Sequence, residues 1–318
     1  METISAMNVP DCELSILVAR PDTSFMNQTV RHLVRACHYP FKRKVITADT
    51  APLGGAYRTR TDLAPMSAFH ERCDQLIADR VMDEKMTINY DGEFQRQVYI
   101  KHFGSAFEMT HDHRSCPILG TLSYIEQATS PYMVHFDSDI LLYQHLEFNW
   151  IKRGIELMQS DERIICVLPR SGPPSMDGTM HQLVDYIHNP EGFFEFKYFT
   201  SRVFLIDVQR FQALLPLTPQ FLKQAPAPAR RFTGEIKIMI TAMVEPKFEP
   251  WESMVTARIK DDCYVRADLD DCRAWTLHAV DHGPDFIAKL PGIIQNVESG
   301  IYPSEQAGHY DLDLSCWD

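Results

Sequence analysis

Pro131-Tyr-Met-Val-His-Phe-Asp-Ser-Asp-Ile-Leu-Leu-Tyr143 is the stretch whose reading decides the fold. A short apolar run, Tyr132 to Phe136, stops at two carboxylates one residue apart, Asp137 and Asp139, and apolar residues resume at Ile140. A strand buried on both faces reads as a continuous apolar run. The carboxyl ends of such strands are where open α/β sheets bind ligands. Two carboxylates this close repel, and burial raises the cost of ionising them. A hard divalent cation removes that cost, and Mg²⁺ or Mn²⁺ takes one or two protein carboxylates together with substrate phosphates. A solvated turn after a core strand would show the same tripeptide, so the flanking chain has to decide between the two.

Upstream, Leu14-Ser-Ile-Leu-Val-Ala19 has the pattern of a buried strand and stops at the turn Arg20-Pro21-Asp22. Met26, Val30, Leu33, Val34 and Cys37 fall at helical spacing, with Thr23 and Ser24 as candidate N-caps and Tyr39-Pro40 as the stop. Val45-Ile-Thr-Ala48 is a second strand ending at Asp49. Strand, helix, strand is one right-handed crossover of a parallel sheet. Ala51 to Pro65 is a loop carrying Gly54-Gly55, Tyr57, Arg58 and Arg60, and a helix is predicted over 66–81. Val98-Tyr-Ile100 predicts a short strand. His111-Asp-His-Arg114 is a polar cluster, but adjacent loop residues rarely converge on one ion. Arg114 is therefore preferred as a phosphate or carboxylate contact over His111 or His113 as metal ligands. A helix over 117–129 leads into the Asp-x-Asp strand.

Downstream, Phe148, Ile151, Ile155 and Met158 mark a helix, and Arg163 to Leu168 a further buried strand. Ser171 to Gly178 is a turn-rich loop. The aromatic and β-branched residues of 193–207 fit strands that cross the sheet. Pro216 to Pro228 reads as a surface excursion. Ile236 to Val244 opens the last third, and Phe248-Glu-Pro-Trp-Glu252 leads into an apolar run that fits a helix. Ala274 to Pro284 holds a short strand and two histidines, His278 and His282, and the acidic tail after Glu298 has little periodicity. There is no internal repeat.

The chain's 318 residues, 45% hydrophobic and 23% charged, suffice for one large α/β unit. A net charge of -12 disfavours nucleic acid and anionic membrane as partners. No apolar run approaches the ~20 residues that cross a bilayer. Met1 to Asp11 lacks the basic and apolar regions of a signal peptide. Eight scattered cysteines without a Cys-x-x-Cys suit reduced thiols, so a cytoplasmic location is expected.

The order of these parts resembles the GT-A class of nucleotide-sugar glycosyltransferases, in flavour the large family 2 type. The matching features run from residue 14 to about 282. They are the Leu14–Ala19 strand and its helix, the strand ending in Asp49, and the arginine-then-helix segment 114–129. After these come His-Phe-Asp137-Ser-Asp139, Arg202-Val-Phe-Leu-Ile-Asp207, Trp251-Glu252 and a late histidine. The resemblance implies a Rossmann-like, mostly parallel sheet flanked by helices. A nucleotide-sugar-binding half is expected over about 12–145, an acceptor-side half with a mixed subregion over about 146–290, and a tail over 291–318.

It also implies a Mn²⁺ or Mg²⁺ cofactor and a nucleoside diphosphate sugar donor, foremost a UDP-sugar. Asp139 would ligate the metal, and Asp137 the metal or the ribose. Ala19, Arg20, Pro21 and Asp49 would line the nucleoside pocket, with Ser138 and Arg114 on the donor. His278, or in second place His282, would add a metal ligand. Glu252, with Glu249 as substitute, would take the acceptor's proton, held ionised by its place in the first turn of a helix.

The sequence departs from the family at two places. A lone Trp251-Glu252 stands where an acidic pair is common, and Tyr198-Phe-Thr-Ser-Arg202 replaces a glycine-rich stretch. A retaining enzyme would not need Glu252 as a base. The acceptor class stays open between small molecule, saccharide and protein. Two other functions compete. One is a sugar-phosphate nucleotidyltransferase, against which the glycine-free Arg20-Pro-Asp-Thr-Ser loop counts. The other is a catalytically inactive glycosyltransferase-like binding scaffold, against which the intact Asp137-Ser-Asp139 counts.

Overall fold

The structure is a computed structural model describing residues 9–52, 63–222 and 247–317. Gly54, Gly55, Tyr57, Arg58 and Arg60, the end of the proline-rich excursion, and Ile236 to Val244 lie outside the described residues.

Strands β1 (Cys12–Ala19), β2 (Arg43–Asp49) and β3 (Glu84–Thr87) run parallel. Helix α1 (Met26–Cys37) makes the first crossover and α2 (Met66–Ala78) the second. The apolar stripe expected of α1 is the one it buries, with Met26, Val30, Leu33 and Cys37 facing inward. Its start is different. Arg20–Ser24 form a turn of 3-10 helix in which the Thr23 hydroxyl donates to the Arg20 carbonyl (2.7 Å). Phe25 then stands at the N-cap of α1 with no side-chain cap, so neither Thr23 nor Ser24 plays that part.

Strand β4 (Tyr132–Asp137) pairs parallel with β1, Leu17 opposite Asp137. Beyond β4 the sheet turns mixed. β10 (Val203–Asp207) lies antiparallel between β4 and β6 (Ile164–Leu168), and β11 (Val265–Leu269) runs parallel to β6. The antiparallel pair β9 (Phe193–Phe196) and β8 (Tyr186–Asn189) finishes the far edge. Among the described residues nine strands follow the order β3-β2-β1-β4-β10-β6-β11-β9-β8, so both halves of the chain share one sheet. The aromatic stretch 193–207 does supply strands that cross it against the parallel direction.

A second, three-stranded sheet joins β5 (Ile140–Gln144), β12 (Ala274–His278) and β7 (Arg170–Ser171). Its register sets Ile140 opposite His278.

Val98-Tyr-Ile100 is not a strand. It lies in α3 (Gly92–Phe103), which Asp91 caps by accepting from the Glu93 and Phe94 N–H groups (3.0 and 3.4 Å) and which Gly104 ends at φ +70°. Three apolar letters carry no period, whereas Gln95, Val98, Tyr99 and His102 together bury a helical face. The chain continues through α4 (Ile118–Glu126), α5 (Trp150–Ser160), α6 (Val208–Gln212) and α7 (Trp251–Asp261). Helix α8 (Pro284–Glu298) buries Phe286, Leu290, Ile293 and Val297. Residue 291, where the tail was expected to begin, lies inside it. Pro291 conceals the helix in the sequence, because proline removes a backbone donor from a helix interior. No helix among the described residues is long and apolar enough to cross a membrane.

Gly154 lets α5 lie close on the sheet. A Cβ there would stand 2.7 Å from Leu205 Cδ2 and 3.1 Å from Val167 Cγ1. Gly154→Ala gains about 1 kcal/mol of helix propensity, but overpacking of about 1–3 kcal/mol opposes it. Net destabilisation is expected, visible as a lower urea midpoint with an unchanged m-value.

His32 ties three elements together. Its Nε2 accepts from the Leu142 N–H of β5 (3.0 Å), so its Nδ1–H donates to Glu298 Oε1 at the end of α8 (2.9 Å). Burial holds the His32 pKa below its ordinary 6.5. The His32 hydrogen bond, with Arg35 assisting against burial, lowers Glu298 from 4.5 to about 2. In both cases the unfolded chain binds the proton more tightly, so this stability is present above pH 6.5 and is lost on acidification. Thermal denaturation should show Tm falling as pH drops below 6.5 and again below 4.5. Glu298→Gln should flatten the lower part, and an unchanged acid limb in that variant would refute the assignment.

Candidate active site

Because β1, β2 and β4 are parallel, Ala19, Asp49 and Asp137 all finish at one edge of the sheet. Ala19, Pro21 and Asp22 from the end of β1, Asp49 from β2, His111 and Cys116 from the loop before α4, Asp137 to Asp139, and His282 line one cavity there.

Asp49 in its wall is held by three donors. Its Oδ1 accepts from the Tyr90 hydroxyl (2.5 Å) and the Ala51 N–H (2.8 Å), and its Oδ2 from His111 Nε2–H (3.1 Å). The tautomer of His111 follows, since a carboxylate only accepts, and Thr110 Oγ1 donates to the free Nδ1 (2.8 Å). Burial opposes the charge on Asp49, but His111, Tyr90 and Ala51 outweigh it and keep the carboxyl below its ordinary range.

The paired carboxylates line the same cavity. Burial first, and the neighbouring Asp139 second, push Asp137 well above the usual carboxylate range. Asp139 is also buried, yet His278 and His282 outweigh that burial and hold it low. His278 Nε2 is 3.6 Å and His282 Nε2 3.4 Å from Asp139 Oδ2. The two histidines differ in which ring nitrogen is committed to an acceptor. His278 donates its Nδ1–H to Asp311 (2.8 Å), which leaves Nε2 with a lone pair in its neutral form. His282 uses Nε2–H itself, donating to the Ala279 carbonyl (2.8 Å). Burial opposes protonation of His278, but Asp139 and Asp311 bring its pKa to about 8. The residues fit a divalent cation. Asp139 Oδ1 is buried without a hydrogen-bond partner among the described residues, and the available ligand atoms are carboxylate oxygen and imidazole nitrogen. Among the described residues no three His, Cys, Asp or Glu side chains form a ready-made cage.

The turn after β1 is locked to the motif. Asp22 Oδ2 accepts from the Ala19 N–H (2.7 Å) and from the Ser138 hydroxyl (2.8 Å). Burial, with Asp139 adding to it, raises the Asp22 carboxyl to about 7.

A second cavity shares Asp137 and Cys116 with the first and is lined further by Arg114, Ser201, Arg202, Trp251 and Glu252. Glu252 sits in the first turn of α7. Its Oε1 accepts from the Ser201 N–H (2.8 Å), the Ser201 hydroxyl (3.0 Å) and the Thr200 hydroxyl (3.4 Å). Those bonds fix the carboxylate while Oε2 carries no hydrogen bond among the described residues.

No protein-family model matches this sequence. No curated protein matches it either. Among solved structures, the chain is similar to GalNAc-T7, in a crystal structure with UDP, GalNAc and Mn²⁺, at a TM-score of 0.51 and 10% identity. The match covers 85% of this chain and 44% of that one, so this chain spans less than half the length of GalNAc-T7. The fold is of the GT-A type. An active-site mutant of LgtC aligns over 63% of this chain and 59% of that one, at 12% identity and a TM-score of 0.32.

Of the residues expected to build a GT-A donor site, Ala19, Pro21, Asp49, Asp137, Ser138 and Asp139 line one cavity. Arg20 is not among the lining residues; it lies in the 3-10 turn, where its carbonyl holds Thr23. Arg114, expected on the donor, lines the second cavity together with Glu252 rather than the first, and Glu249 lines neither. His278 reaches Asp139 from β12, and His282 lies on the cavity wall. His113 bonds the Phe248 carbonyl through Nδ1 (3.2 Å). Asp22, Tyr90 and Asp311 carry no site signal in the sequence, Arg202 stands there only within a strand motif, and His111 only among adjacent polar loop residues. Asp22 stood in plain view as a turn residue, but only its bond to Ser138, 116 positions away, marks it. Asp311 had no signal at all, since it meets His278 through an isolated bridge from the aperiodic tail.

Proposed function

We propose that this chain is a metal-dependent glycosyltransferase that moves a sugar from a nucleoside diphosphate sugar, foremost a UDP-sugar, to an acceptor hydroxyl. The observation that carries this is the convergence of Asp49, Asp137, Asp139 and His278 at one sheet edge. The UDP, GalNAc and Mn²⁺ held by GalNAc-T7 support the donor class. Asp49 and His111 would receive the base. Asp139 and the Nε2 of His278 would hold Mn²⁺ or Mg²⁺, with Asp137 toward the ribose or the ion. His282, whose Nε2–H is committed to the Ala279 carbonyl, stands 3.4 Å from Asp139 as a charge neighbour instead. A bound cation neutralises the diphosphate as negative charge develops on it.

The chain's own residues do the rest. Asp22 and Ser138 hold the motif against the end of β1. The acceptor oxygen forms a bond to the anomeric carbon as the bond from that carbon to the diphosphate oxygen breaks, its electron pair going to the diphosphate. Glu252 takes the acceptor's proton in an inverting reaction. The acceptor is a small molecule, a saccharide or a protein side chain.

The test is a screen of nucleotide sugars with the full chain, with and without Mn²⁺. Release of nucleoside diphosphate, and thermal stabilisation by UDP that vanishes in excess chelator, are expected. Pyrophosphate released from a nucleoside triphosphate and a sugar phosphate would identify a nucleotidyltransferase instead. Mn²⁺-dependent UDP binding without turnover of any donor would identify a binding scaffold.

A further inference from the structure

Resting on that transferase reading, we propose that the acceptor is a saccharide and that it docks in a cavity of about 400 Å³ which shares Arg202 with the Glu252 cavity. Its position suits an acceptor. Thr200 in its wall donates to Glu252 Oε1 (3.4 Å). Asp311 in the same wall accepts from His278, and the Tyr310 ring stacks on the His278 ring at 5.7 Å. The cavity therefore adjoins the Glu252 cavity through Thr200 and Arg202, and the His278 side of the first cavity through Tyr310 and Asp311.

Its chemistry suits a polyol. The Tyr310 hydroxyl and Gln182 Nε2 are buried and have no hydrogen-bond partner among the described residues. Such groups cost about 1–3 kcal/mol each when left unmet, and sugar hydroxyls offer both donors and acceptors to meet them. Arg266, 3% exposed, is held rigid in the wall. Its Nε and Nη2 donate to Asp268 (2.7 and 3.1 Å), and its guanidinium lies over Phe196 at 4.0 Å. Tyr198 and the stacked His181–His309 pair, with ring centroids 4.3 Å apart, add flat faces of the kind that pack against sugar C–H surfaces. An apolar acceptor would leave the buried polar atoms unmet. A peptide would favour the outer edge of β8, where Ile187 is exposed, but Ile187 does not line this cavity. In the transfer, a saccharide hydroxyl oxygen bonds to the anomeric carbon and the diphosphate departs with the electron pair. The hydroxyl proton passes to Glu252.

The probes are a panel of unlabelled disaccharides, Ser/Thr-containing peptides and simple phenols, offered to the full chain with a turned-over donor. At least one disaccharide should accelerate nucleoside diphosphate release above hydrolysis and give a saturation-transfer NMR signal. Gln182→Leu and Tyr198→Ala should each raise that disaccharide's KM roughly three- to tenfold, with the transfer rate referred to hydrolysis in the same variant. Ile187→Ser should leave it unchanged. Acceleration by peptides or phenols alone, or an unchanged disaccharide KM in both cavity variants, overturns the inference while the transferase reading stands. Disaccharide binding that both cavity variants weaken, with no donor turned over, counts against the transferase reading alone.

Discussion

Asp139→Ala will release nucleoside diphosphate from the preferred donor at roughly a thousandth of the parent rate or less. The cation it would hold stabilises the leaving diphosphate by several kcal/mol, and each 1.36 kcal/mol is about a factor of ten in rate. The variant should also lose the Mn²⁺-dependent thermal shift with UDP. Its fold should survive, because the backbone link at this position, the Asp139 carbonyl accepting from the Ala279 N–H (3.0 Å), is untouched by the change. Removal of the buried carboxylate also removes an oxygen, Oδ1, that has no hydrogen-bond partner among the described residues. Circular dichroism and Tm checked beside the rate separate loss of chemistry from loss of structure. Parent-level activity in this variant, or in parent protein under excess chelator, would end the metal assignment.

Glu252→Gln is expected to lower kcat by roughly 10²–10⁴, the usual contribution of a positioned general base, with a much smaller change in donor KM. The amide can still accept from Ser201 and Thr200, so the tether at the start of α7 is retained and the proton acceptor alone is lost. Glu252→Ala removes the tether as well and leaves the Ser201 N–H without this acceptor, so it should cost stability in addition. A Gln variant with full kcat and a product of retained anomeric configuration would mean that Glu252 is a structural cap and that the proton leaves by another route. Product stereochemistry read by NMR decides between the two.

Much of the frame was legible in the sequence. Buried parallel strands need apolar runs, and amphipathic helices need a 3.6-residue period; β1, α1, β2, β4 and α5 satisfy both within a few consecutive residues. Local pattern failed where it was too short or was interrupted. Val98-Tyr-Ile100 looked extended because three residues do not show a period, and α8 was hidden by Pro291. Thr23 and Ser24 had the right chemistry for a cap but were used by a preceding 3-10 turn.

The sequence alone determined that the chain is α/β, that a carboxylate pair ends its key strand, and that Asp49 closes a neighbouring one. Those facts are written in adjacent residues and in a repeating period, so no long-range contact is needed to read them. Only the tertiary structure decided which distant groups join that pair. The antiparallel register of β5 with β12 brings His278 to Asp139, an isolated bridge brings Asp311 to His278, and the turn after β1 brings Asp22 to Ser138. It also separated the two histidines, because the tautomer of each depends on whether a carboxylate or a backbone carbonyl faces a given ring nitrogen. Such convergence comes from chain reversals and strand register over more than a hundred residues, which no local spacing encodes.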